Sequence, residues 1–286
     1  MKRGFTILAI VTGLLLSFAL YEALIAAPTE RTMGDVQRIF YYHVPSAWTA
    51  FLLFFLNFIA SVQYLVRATP SSERVARWLV YAVIAVGIAL LIAGFIFPAL
   101  AWLGAAPAGA SLVFLGAVYL VIQFRFSRAE TDVLALVSAE VGVVFCTVVL
   151  VTGPIWARPV WGIWWTWDLR LTLTLVLWLI YVSYLVLRRF STSSQTAKLA
   201  AVLAVFGALD VPLVYFSIWF FRTQHPSPVI GNGGSLDPRM AQVLLINWAA
   251  FLCLAWLMSW TRFRLEVLKR EVEEAQSLQS LLEPSR

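Results

Sequence analysis

His43 and His225 are the only histidines in a chain of 286 residues. Between them lies Trp161-Gly162-Ile163-Trp164-Trp165-Thr166-Trp167-Asp168-Leu169-Arg170, a run with four tryptophans and an aspartate inside eight residues. Neutral imidazole is a strong ligand for haem iron, and indoles present the flat apolar surface that a porphyrin needs. Read as a helix, Trp161, Trp164, Trp165 and Asp168 follow the i, i+3, i+4, i+7 spacing, which predicts three indoles and a carboxylate on one face roughly 10 Å long. Trp167 falls off that face. The competing reading of the tryptophans is an interfacial belt, as found where helices leave a bilayer. Arg158 and Arg170 flank the run, and their guanidinium groups suit bidentate capture of carboxylates such as haem propionates; Arg38, Arg222 and Arg239 could do the same. Taken singly, each arginine suits a phospholipid headgroup better. Asp168 is positioned either to fix an indole N–H or to cap a helix beginning near Arg170. A structural zinc site wants four Cys, His or carboxylate ligands, more than these segments offer, so haem is the better fit.

The elements that must position these residues are membrane helices. The chain is 61% hydrophobic and 13% charged, with a mean hydropathy of +0.84, far from the composition of a soluble domain. Apolar runs near 5–26, 46–67, 77–98, 108–126, 133–153, 170–189, 199–220 and 240–261 are each about long enough to cross a bilayer. The expected fold class is therefore an all-α, polytopic membrane bundle of about eight spans. The run at the N-terminus is too long for a signal-peptide core and is expected to stay as the first helix.

Charge then orients the bundle. With the N-terminus placed in the cytoplasm, fifteen of the 21 Lys and Arg fall on that side, and only Arg31, Arg38, Arg158, Arg170, Arg222 and Arg239 on the other. By the positive-inside rule both termini are cytoplasmic, and the tryptophan run and both histidines lie outside. The net charge of +6 is thus a topology signal and not a nucleic-acid footprint, because the basic residues are scattered singly between apolar runs. Residues 1–261 are expected to form the membrane domain, with the tryptophan-rich segment at 156–172, and 262–286 a short cytoplasmic helical tail.

The remaining residues exclude other chemistries. Cys146 and Cys253 sit far apart in apolar runs, outside any Cys-x-x-Cys or Cys-x-x-Cys-His pattern, so the chain is no thiol oxidoreductase or c-type cytochrome; haem held here would be b-type and non-covalent. Glu140 and Asp210 are intramembrane carboxylates and functional candidates by default. Two at different depths do not form a proton relay, and they are expected to be hydrogen-bonded structural groups. No nucleotide-binding loop, nucleophile elbow or metalloprotease motif is present, so ordinary enzyme chemistry has no foothold here.

Trp161 to Thr172 resembles the signature WGxWWxWDxRLT of the WWD-domain membrane proteins of cytochrome c maturation, matching every specified position. Tyr42-His43-Val44-Pro45-Ser46-Ala47-Trp48 resembles the His-Val-Pro approach to the second helix in the CcmC branch, and His225 occupies the place of that branch's second outer histidine. The resemblance implies haem on the outer face of the cytoplasmic membrane, with His43 and His225 as axial ligands and Trp161, Trp164, Trp165, Trp167, Asp168, Arg158 and Arg170 around it. It further implies delivery to a membrane-anchored, CcmE-like haem chaperone, alongside ABC-type transporter subunits. The alternatives are a synthase-like subunit attaching haem directly to apocytochrome c and, less in keeping with spans that lack histidine, a b-type electron-transfer protein. CcmC-like proteins are expected to have six spans, and the apolar hairpin at about 78–126 is an addition to that plan.

Overall fold

A computed structural model describes residues 2–97, 104–191, 193, 195–221, 223–226 and 236–282; Arg222 and Gly231-Asn232-Gly233-Gly234 lie outside them. Among the described residues there are helices and no named strand: α1 (Lys2–Tyr21), α2 (Phe40–Val66), α3 (Pro70–Ile96), α4 (Ala105–Arg125), α5 (Arg128–Trp161), α6 (Leu169–Phe190), α7 (Thr196–Ala208), α8 (Asp210–Phe220) and α9 (Pro238–Leu282). A π-helical turn at Glu22–Ala26 extends α1, and a 3-10 turn at Asp35–Ile39 leads into α2. Since α7 and α8 form one span broken at Leu209, eight stretches among the described residues are long and apolar enough to cross a membrane, as the apolar runs predict.

The largest departure in boundaries is α5. It starts on a capping box, with the Ser127 hydroxyl accepting from the Glu130 amide and the Glu130 carboxylate accepting from the Ser127 amide. It then runs past the expected end at 153, through Pro154 and Pro159, to Trp161. Proline is tolerated in such helices because neighbouring groups take up the freed carbonyls. The extension carries Trp156 and Trp161 out to the end of the bundle.

The core is built where α2 packs along α5. Phe54 of α2 stacks on Tyr181 of α6 with centroids 3.8 Å apart and planes within 9°. Asn57 donates to the Ala135 carbonyl at 2.6 Å, and Cys146 is buried in the same cluster. At the end of the bundle opposite the tryptophans, Arg188 grips Asp132 with both guanidinium nitrogens, at 2.6 and 2.7 Å, and Arg270 of α9 reaches the same carboxylate at 3.0 Å. Glu140 receives two bonds of 2.8 Å from Arg262, which makes it the structural group expected. Asp210 differs: it is buried, and its Oδ2 has no partner among the described residues. The boundary placed at 261/262 lies inside α9, a single helix of 45 residues.

The additional hairpin is α3 against α4. A Cβ on Gly109 would come within 2.5 Å of the Gly87 carbonyl oxygen and 2.6 Å of the Leu91 amide nitrogen, so the two backbones meet where no side chain fits. The pair packs mainly on itself and touches the rest chiefly through α2.

Candidate functional site

The tryptophan run is not one helix. Gly162 adopts a left-handed φ of +80° and ends α5, with its amide on the Arg158 carbonyl at 3.0 Å and its own carbonyl taken by the Arg158 side chain. Residues 163–168 are non-helical. Asp168 then caps α6, accepting the Arg170 amide at 2.9 Å and the Leu171 amide at 3.4 Å. The predicted helical face of Trp161, Trp164, Trp165 and Asp168 therefore does not exist: a C-cap glycine and an N-cap aspartate six residues apart satisfy two helix ends, and the indoles lie on the link between them.

Each tryptophan has its own setting. Trp161, on the last turn of α5, meets Trp156 edge to face at 5.3 Å. Trp164 is exposed. Trp165 is half-buried and meets Trp167 edge to face at 5.8 Å. Trp167, which the helical wheel sets aside, is 76% exposed and lines an open recess of about 450 Å³ together with Thr166, Asp168, Thr223 and Gln224.

Thr223 and Gln224 bring in the second histidine. Asp168 uses its other oxygen, Oδ2, to accept the Gln224 amide at 2.8 Å, and it also accepts from the Thr223 hydroxyl. Thr223 in turn accepts the His225 amide at 3.1 Å. Burial works against the Asp168 carboxylate, but the bonds from Thr223, Gln224, Leu171 and Arg170 outweigh it and hold its pKa below the ordinary value. The segment carrying His225 is thus tied to the start of α6 through one carboxylate. Burial, reinforced by the Arg170 guanidinium, pushes the His225 pKa down to about 4 against the opposing pull of the Pro226 carbonyl and Asp168. The ring is neutral at pH 7 and, because a carbonyl can only accept, Nδ1–H donates to Pro226 at 2.9 Å. Nε2 keeps its lone pair.

His43 lies on the first turns of α2, with Nδ1 2.9 Å from Thr152 Oγ1 of α5. Its electrostatic surroundings include the His225 ring and the Arg170 guanidinium, so the fold brings the two imidazoles and this arginine into one neighbourhood.

Comparison with known proteins places this arrangement. The family model described as "CcmC: Heme exporter protein C" matches residues 94–278. The heme exporter protein C of Bradyrhizobium diazoefficiens is 30% identical over 276 residues, 96% of this chain and 82% of the relative. The chain belongs to the CcmC family. A putative cytochrome c biosynthesis ccmC-like mitochondrial protein of Marchantia polymorpha is 26% identical over 83% of the chain and 76% of its own length. The heme exporter protein C of Escherichia coli K12 is 31% identical over 54% of the chain and 62% of its own length. The match to the CcmC family model takes in the WWD segment and His225 but begins beyond His43, and it starts inside the α3–α4 hairpin.

Within this CcmC family member the arginines separate by what they already hold. Arg38 is occupied by Asp35, the Ala23 carbonyl and Thr29; Arg239 by Glu22 and Gln242; Arg158 by the end of α5. Arg170 differs, with a buried Nη1 that has no partner among the described residues, as do Trp165 Nε1 and Thr166 Oγ1. Buried donors without acceptors are costly, and carboxylates are the groups that answer them. Two imidazoles with bare or orientable Nε2 atoms, exposed indoles and orphaned donors are a set that fits haem with its propionates. Thr152, Thr223 and Gln224 were not singled out from sequence; only the last two had a signal, as neighbours of His225.

Proposed function

We propose that this protein holds haem at the end of the bundle formed by the WWD segment and passes it to a membrane-anchored haem chaperone during cytochrome c maturation. Haem handling in c-type cytochrome biogenesis follows from family membership. The observation that carries it is the tie that Asp168 makes between the WWD segment and the His225 segment, with His43, 182 positions away in sequence, in the same electrostatic neighbourhood as His225. His43 and His225 are the axial ligands, held non-covalently to the iron. Trp161, Trp164, Trp165 and Trp167 form the apolar surround, Arg170 receives a propionate, and Arg158 and Asp168 shape the segment. Exposed indoles and an open recess suit cargo that must leave. The excess of Lys and Arg at the opposite end supports an outward-facing site in the cytoplasmic membrane, with both termini inside. A role beside ABC-type transporter subunits agrees with the name of these relatives, heme exporter protein C.

Purification from cells expressing the chaperone, followed by pyridine haemochrome and mass analysis, tests the proposal. The expected result is bound haem with the chaperone attached, and loss of the spectrum in His43→Ala and His225→Ala. Protein without haem, or a spectrum indifferent to both substitutions, overturns the ligand assignment.

A further inference from the structure

Thr152 sits in the middle of an apolar stretch of α5, and its hydroxyl meets three groups. Oγ1 is 2.6 Å from the Val148 carbonyl oxygen and 3.4 Å from that of Val149, one turn back on its own helix, and 2.9 Å from His43 Nδ1. A carbonyl oxygen has no proton to offer, so the 2.6 Å contact consumes the single hydroxyl proton, leaving Oγ1 to His43 as an acceptor only. His43 must then supply the proton from Nδ1. A neutral imidazole carries one ring proton, so Nε2 is left with its lone pair. A Cβ at Gly153 would stand at ordinary contact distance, 3.5 Å, from His43 Cε1, so the ring lies against the Thr152–Gly153 step.

We propose that Thr152 is the positioning residue for His43, fixing its tautomer and ring orientation so that Nε2 is presented to haem iron. This rests on the reading of His43 as an axial ligand. It makes the two histidines equivalent by different means: His225 is fixed by the Pro226 carbonyl within its own segment, and His43 by a hydroxyl from another helix. Metal-ligating histidines are commonly held in this way, the second ring nitrogen donating to an oxygen that sets tautomer and basicity. Because α5 also ends in Trp161, one helix sets both the ligand and the first indole of the surround.

The test uses the full chain purified with haem, comparing Thr152→Val, which keeps the shape and removes the hydroxyl, with Thr152→Ser, which keeps the hydroxyl, and with His43→Ala. The readouts are the low-spin ferric resonance signal and the rate of haem loss to a scavenging apoprotein. Thr152→Val is expected to shift the low-spin signal and to lose haem roughly 10-fold faster, the usual size of such an effect, while Thr152→Ser matches the unaltered protein. Thr152→Ala replaces the valine variant if that one does not accumulate. An unchanged Thr152→Val beside an altered His43→Ala overturns the role of Thr152 and leaves the ligand assignment standing. A serine variant as perturbed as the valine one also overturns it, because the defect is then one of packing. No change in His43→Ala overturns the ligand assignment itself, and this inference with it.

Discussion

Asp168 spends its two carboxylate oxygens on different elements, Oδ1 on the first amides of α6 and Oδ2 on the Gln224 amide. An asparagine offers one acceptor oxygen, so Asp168→Asn keeps either the helix cap or the tie to the His225 segment. The expected cost is about 0.5–1.5 kcal/mol, one hydrogen bond, read as faster hydrogen exchange at the Gln224 amide and faster haem loss. Acid acts in the same direction. The folded pKa of Asp168 lies below its ordinary value, so its contribution is complete above about pH 4 and disappears as the pH falls through the lower folded value. His225, depressed to about 4, is neutral at pH 7 and takes up its proton over the same acid range in which the tie is lost. Residue types alone pointed to His43, His225, Asp168 and Arg170. Thr152 carried no mark, because a threonine bonded to its own helix in an apolar run looks like any other.

The elements decide what the residue pattern could not. A wheel drawn through the tryptophans assumes continuous helix, whereas Gly162 and Asp168 turn the run into a link between two helices, which moves Trp167 from the far side to the recess. Helix α5 passes two prolines before it stops, so the end of the apolar run at 153 is not the end of the helix, which Gly162 sets. The α3–α4 hairpin shows the same dependence on close contact. A valine at Gly109 cannot be seated against the Gly87 carbonyl without parting the helices, and Gly109→Val is expected to destabilise the protein by about 1–3 kcal/mol. Since the hairpin meets the rest chiefly through α2 and none of the proposed site residues lies on it, haem absorption of the surviving protein should be unchanged. A lowered apparent Tm with a normal spectrum is the expected pair of measurements; a lost spectrum would mean that the hairpin supports the site.

Across the whole molecule, the site end is open and the opposite end is clamped. Asp132 is shared by Arg188 and Arg270, and its side chain is 7% exposed. Asp132→Ala leaves a buried Arg188 without its counter-charge and is expected to cost about 3–5 kcal/mol, visible as a large fall in apparent Tm in detergent. Asp132→Asn, which keeps a hydrogen-bond acceptor, should fall less. The clamp joins α5, α6 and α9, and two of these helices, α5 and α6, border the WWD segment at their other ends. Loss of the clamp is therefore expected to broaden the haem spectrum before the protein unfolds, and equal haem occupancy with an unshifted spectrum would show that the two ends are independent.

Composition and period sufficed for the class of the protein and the number of its spans. Water and lipid sort apolar runs by length, and that sorting needs no knowledge of neighbours. The rare residue types were also visible, because a chain with two histidines and a dense tryptophan run has few places to put chemistry. Which oxygen meets which proton was settled only by tertiary structure. Thr152 and His43 are 109 positions apart, and Asp168 and Gln224 are 56 apart. Hydrogen bonds between such partners depend on distances of a few tenths of an ångström, and only the packing of α2 on α5 and the caps at Gly162 and Asp168 set them.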